Sequence, residues 1–136
     1  IQSIMKKIFG LMLLCATIIT VTSCDNDDEL INSLQGTIWT ASYADELFVI
    51  EFESVNKVSG YRADSNGHIK GDVYYGTYTT NGSNITFNNF HIVNFYKFYF
   101  TDGTITGNNM KLNCWWEMGI PGDKERFYDT KTFHRK

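Results

Sequence analysis

From residue 37 onward, apolar and polar residues alternate with a period of two. In 47–54, Phe48, Ile50 and Phe52 fall on one side and Val49, Glu51 and Glu53 on the other, the pattern of a strand with one buried and one wet face. Similar runs bounded by turn residues predict eight strands, at 37–43, 47–54, 57–63, 70–80, 84–90, 92–106, 110–118 and 124–135. Asp64-Ser65-Asn66-Gly67, Asn81-Gly82 and Gly107-Asn108-Asn109 supply the turns, because Asn and Gly both accept positive φ. Asp102-Gly103 is expected to be a bulge inside one long strand, and Gly71 and Gly76 to mark bends. Eight short antiparallel strands in sequence predict an all-β meander that closes into a barrel, since closure removes aggregation-prone edges. An open β-sandwich is the alternative.

The chain before residue 37 follows a different rule. Met5-Lys6-Lys7 precedes an apolar run from Ile8 to Val21, then Thr22-Ser23-Cys24. A positive start, a short apolar stretch and small residues are the layout of a secretory signal. The apolar run is short for a spanning helix, which needs about 20 residues. Val21-Thr22-Ser23-Cys24 resembles the lipobox of bacterial lipoproteins. That resemblance implies cleavage before Cys24, a diacylglyceryl group on its thiol, and a membrane anchor without a transmembrane segment. Two or more acyl chains hold a protein stably at about 0.8 kcal/mol per buried CH₂. The expected organisation is a signal peptide over 1–23, a lipidated Cys24 with an acidic tether over 24–33, and a β-barrel domain over 34–136. Asp25-Asn26-Asp27-Asp28-Glu29 should stay solvated and extended. It is similar to the surface-export signal of Bacteroidetes lipoproteins, which implies an outer-membrane location, facing outward.

Charge and cysteine content narrow the classes further. The formal charge is −3; loss of Lys6 and Lys7 makes the remainder more acidic, but the 25–29 run carries most of that charge. The folded body is nearly neutral and offers no electrostatic footprint for nucleic acid. Of three cysteines, Cys15 lies in the leader and Cys24 takes the lipid. Cys114 is left alone, in phase with Met110, Leu112 and Trp116, as a small buried apolar residue.

Leu34-Gln35-Gly36-Thr37-Ile38-Trp39, Ile50-Glu51-Phe52, Gly76-Thr77-Tyr78-Thr79 and the run Gly103 to Leu112 resemble small lipocalin-like lipoproteins common in Bacteroidetes. Lipocalins have Gly-x-Trp on the first strand; this chain has Gly36-x-x-Trp39. The resemblance implies an eight-stranded barrel able to hold a ligand.

The sequence carries no nucleophile elbow, phosphate loop, dinucleotide fingerprint or zinc spacing. His68, His91 and His134 are scattered, and no cofactor is expected. Asp64-x-Asn66-Gly67 reads as an Asx turn rather than a calcium loop. Glu51 and Glu53 read as a solvated face rather than a glycosidase pair. Aromatics, 15% of the chain, are the richest feature. Strand alternation sends Trp115 and Trp116 to opposite faces. Tyr75, Tyr78, Tyr96, Trp115 and Trp116 are the candidate ligand-binding residues, because exposed Trp and Tyr recur at binding surfaces. The expected function is a non-catalytic envelope module that binds a small apolar molecule or a glycan. The alternative is a solid barrel that binds a protein partner, as accessory subunit or inhibitor. Pocket volume separates them: a cavity of roughly 300 Å³ or more favours a ligand.

Overall fold

The computed structural model describes residues 34–136. The predicted signal peptide, Cys24 and the tether lie outside the described residues. Eight antiparallel strands run in chain order: β1 (Ile38–Tyr43), β2 (Glu46–Phe52), β3 (Lys57–Ala63), β4 (Ile69–Asn81), β5 (Asn84–Asn94), β6 (Tyr96–Thr106), β7 (Asn109–Ile120) and β8 (Asp123–Arg135). Each pairs with the next, and β8 returns to β1, so the sheet is a closed barrel. The meander expected from the alternation is therefore the observed topology.

Alternation decides what lines the lumen. Trp39 and Ala41, Phe48 to Phe52 in steps of two, Phe98 and Phe100, and Met110 to Cys114 in steps of two all point inward and are buried. Phe48, Phe98 and Phe100 pack edge-on or tilted at 5.4–6.4 Å between centroids. A barrel of eight strands is about wide enough to be filled by its own side chains, and these aromatics fill it.

The two ends differ. At one end Leu34, Phe52, Tyr78, Ile85, Met110 and Phe133 are all nearly inaccessible. Thr37 holds the entering chain there: its N–H and hydroxyl both donate to the Leu34 carbonyl. This end is closed. The opposite end, the mouth, is lined by Tyr43, Tyr96 and Trp116, which are only partly buried.

Irregularities fall where the chain must bend. Bulges interrupt β3 between Gly60 and Arg62 and β6 between Phe100 and Asp102; the second falls at Thr101, one residue before the Asp102-Gly103 position expected, with Asp102 and Gly103 paired to β7. The Asp64 carboxylate accepts the Asn66 and His68 N–H groups, both at 2.9 Å, which is the Asx turn. The β5–β6 boundary departs from expectation. The strand expected over 92–106 is split by a tight turn at Phe95, so β5 runs on to Asn94. Phe95 itself has φ of 63°, a conformation that turn-forming Gly or Asn usually supply; an aromatic there reads as strand in the sequence.

The seam closing the barrel is short. β1 and β8 are in register at Trp39↔Arg135 and Thr40↔His134, with a further bond from Lys136 N–H to the Ile38 carbonyl. Nearer the mouth, β8 has β7 on one side and no register partner on the other.

Candidate functional site

The lumen being filled, the concavities lie outside. Among the described residues, grooves of about 290 to 380 Å³ open on the outer surface. One is a groove of about 350 Å³ between the outer face of β1–β3 and the 65–67 turn. Its Tyr61 hydroxyl donates to Glu51 at 3.0 Å, and burial together with that carboxylate pushes the Tyr61 phenol up to about 12. Glu53 pairs instead with Lys57 at 3.4 Å, so the two glutamates are engaged separately.

The most differentiated surface crosses β4 to β8. Each strand contributes one group to a continuous row. The Tyr74 ring lies 4.8 Å from His91, His91 lies 5.6 Å from Tyr99, and Tyr99 stacks on Trp115 at 4.2 Å. The Arg126 guanidinium closes the row, 3.8 Å from the Trp115 ring, and is held by Glu117 at 3.0 Å. Burial, and then the nearby Lys97, hold the His91 imidazole below its usual value, so at neutral pH it is an uncharged ring in this stack. Cation–π contacts such as that of Arg126 contribute about 0.5–1 kcal/mol at exposed sites. The row is thus a preformed aromatic strip with Trp115 fixed on both sides.

Beside Trp115 a groove of about 300 Å³ is bordered by Tyr128 and floored by Thr101, Asn113 and Thr130. The floor is organised before any ligand arrives. Asn113 Nδ2 donates to Asp102 at 2.9 Å, and Thr130 Oγ1 donates to Asn113 Oδ1 at 3.0 Å. Thr101 Oγ1 lies within 3.1 Å of Asp102 and 3.3 Å of the Asn113 carbonyl. Tyr128, by contrast, is 75% exposed. The result is an exposed ring bordering a groove whose hydroxyl and amide groups are held in fixed orientation.

The five sequence candidates are dispersed. Trp115 is on this outer strip. Trp116 faces the mouth between Phe98 and Phe127, at 5.1 and 5.8 Å, as alternation predicts. Tyr96 is also at the mouth, partly buried. Tyr75 is exposed on β4, with Lys57 Nζ 4.8 Å from its ring. Tyr78 is 1% exposed and its hydroxyl donates to the Ser54 carbonyl at 2.6 Å; it plugs the closed end and has no surface to offer. Tyr128, Asn113 and Thr130 were not singled out from the sequence. The signal was there in the β7–β8 hairpin: folding it about Pro121-Gly122 sets Trp115 opposite Tyr128 and Asn113 opposite Thr130.

Among the described residues, no group of three His, Cys, Asp or Glu side chains is placed to hold a metal ion. Cys114 is buried, and burial pushes its thiol up to about 11. Alkylation rate follows thiolate fraction, so at pH 8 Cys114 should react more than about a hundredfold slower than a free cysteine. Mass mapping of iodoacetamide adducts before and after denaturation checks this. A rate in the folded protein close to that of free cysteine would contradict it.

No protein-family model and no curated protein matches the chain. Among solved structures, the crystal structure of a rhizavidin–biotin complex is similar, with 19% identity and a TM-score of 0.43 over 76% of this chain and 93% of that one. The barrel described above rests on this chain's own strand pairing.

Proposed function

We propose that this chain is a non-catalytic binding module that holds a glycan on the outer face of β6–β8, and that it works at the cell envelope, anchored by lipid on Cys24. The observation that carries the glycan reading is Tyr128, left exposed beside Trp115 at the edge of the Thr101–Asn113–Thr130 floor, whose Asn113 is oriented by Asp102 and Thr130. Sugar rings present an apolar face and a rim of hydroxyls. An exposed aromatic ring suits the first, and oriented amide, carboxylate and hydroxyl groups suit the second. The filled lumen favours this outer site over an internal one for an apolar molecule. Anchoring rests on the lipobox resemblance. The closed end lies beside the point where residue 34 enters, and a tether of about ten residues reaches at most ~35 Å, enough for the barrel to stand clear of the bilayer with its mouth and β6–β8 face accessible.

Titrating the protein with neutral hexose and N-acetylhexosamine oligosaccharides, followed by tryptophan fluorescence and calorimetry, tests the reading. Tyr128→Ala and Asn113→Ala should each weaken binding about tenfold, the loss of ~1.4 kcal/mol expected of one good contact. Binding that survives both changes unaltered, or oligosaccharides that do not bind at all, would refute the glycan site.

A second reading, docking of a protein partner at the mouth, has one specific observation behind it. Phe95 is 88% exposed and sits at φ 63°, on the same end as the exposed Ile69, Met118 and Ile120. A strained, exposed aromatic costs folding free energy of order 1–3 kcal/mol, which contact with a partner would offset. Co-purification of a protein lost on Phe95→Ser would favour it.

A further inference from the structure

The inner wall near the mouth holds a lysine where the alternation calls for an apolar residue. Lys131 lies on β8, opposite Leu112 and two residues from Phe133, both fully buried. Its side chain is 10% exposed. Three rings surround its ammonium: Tyr43 at 4.4 Å, Phe98 at 5.0 Å and Phe48 at 5.5 Å from Nζ. Tyr43 and Phe48 stack on each other at 5.1 Å, and Phe98 meets Tyr43 edge-on at 5.2 Å. A single carboxylate completes the set, Asp129 at 3.5 Å, itself about half exposed.

Three ring faces and one carboxylate are the components by which proteins recognise quaternary or primary ammonium ligands. The site also has a way in. It lies where β1 and β8 have parted, beyond Thr40↔His134, with Asp129 at its solvent side. We propose that this cage is a binding site for the ammonium group of a ligand, and that Lys131 occupies it as a resident substitute that the ligand displaces. Asp129 also borders the outer groove, but the three rings belong to the inner wall, and the proposal does not depend on the glycan reading. The departing lysine keeps its charge by moving into water along its flexible stem. The incoming cation takes over the same rings, so no buried charge is left unpaired at any stage.

Choline and its neutral isostere, in which a quaternary carbon replaces the nitrogen, are the probes, followed by NMR on the purified protein. In Lys131→Ala, choline should bind about tenfold more tightly than in the wild type, with its methyl protons shifted upfield by the rings, and the isostere should bind about tenfold more weakly than choline. Equal binding of the two probes, or no binding of choline, would overturn the proposal. Should Lys131→Ala not fold, Lys131→Gln keeps the stem without the charge and serves the same comparison. The wild-type protein supplies an independent measurement. Its Lys131 ε-protons should start ring-shielded and move downfield on saturation with choline; ε-protons that stay in place would overturn displacement.

Discussion

Trp39→Ala should destabilise the barrel by about 3–5 kcal/mol, the range for truncating a fully buried large aromatic. Trp39 is 1% exposed and faces the lumen from β1, paired with Ile50 on one side and Arg135 on the other. Its loss leaves a void beside the short β1–β8 seam, bounded on the other side by the six-pair β1–β2 ladder that resists collapse into it. A second contribution comes from the indole N–H, which donates to Thr37 Oγ1 at 2.9 Å, while Thr37 in turn donates to the Leu34 carbonyl. The indole therefore also fixes the chain that seals the closed end. For a domain of this size each kcal/mol moves Tm by roughly 4–8 °C, so a fall of about 12–40 °C is expected. Trp39→Phe, which keeps most of the ring, should cost about 1–2 kcal/mol less than the alanine change. Thermal and urea unfolding followed by circular dichroism measure both. A loss under about 1 kcal/mol for Trp39→Ala would mean that the lumen repacks freely and is not a close-packed core.

Gly103→Ala should cost about 3 kcal/mol, at the upper end of what overpacking does. Gly103 is opposite Leu112, just past the β6 bulge. A Cβ built there would run into the Lys111 carbonyl and lie 2.7 Å from Leu112 Cδ2 and 3.0 Å from Leu112 Cα. Backbone is the obstacle, so a rotamer change cannot relieve it; β6 and β7 would have to separate beneath the Asp102–Asn113 bond. Gly82→Ala is the informative contrast. Gly82 has φ of 59° and open space around it, so alanine there meets only the left-handed backbone penalty, about 1–2 kcal/mol. Urea midpoints of the two variants should therefore differ clearly, with Gly103→Ala the lower. Equal midpoints would show that β6 tolerates a side chain at this position.

Where each strand has one wet face, the alternation was enough to read the barrel. β3 spans the predicted 57–63, and the inward set Phe48, Ile50, Phe52 and Met110, Leu112, Cys114 is the predicted one. Turns were legible where Gly or Asn supplies the positive φ, as at Gly67, Gly82 and Gly107. The Phe95 turn was not, because nothing in the identity of an aromatic residue announces that conformation. The candidate site was legible only in part. Alternation placed Trp115 outside, but whether neighbours from β5, β6 and β8 line up with it depends on register across four strands. Two of those pairings contain bulges that shift the count by a residue. Lys131 was invisible for a related reason: a lysine in a polar-looking run 129–132 gives no sign that its strand phase points into the lumen.

The short β1–β8 seam bears on how the barrel assembles. Seven of the eight ladders join strands adjacent in sequence and can form as local hairpins. The seam alone brings the two ends of the domain together, and the entropy of closing so long a loop weighs on the ladder with the fewest bonds to offset it. Hairpins that form early and a closure that comes late give a chain whose folding is mostly local and whose final step is reversible at little cost. The strands most free to part in the native state are then β1 and β8, beside the place where Lys131 of β8 lies against Tyr43 of β1. Ligand entry and the last step of folding would share one motion.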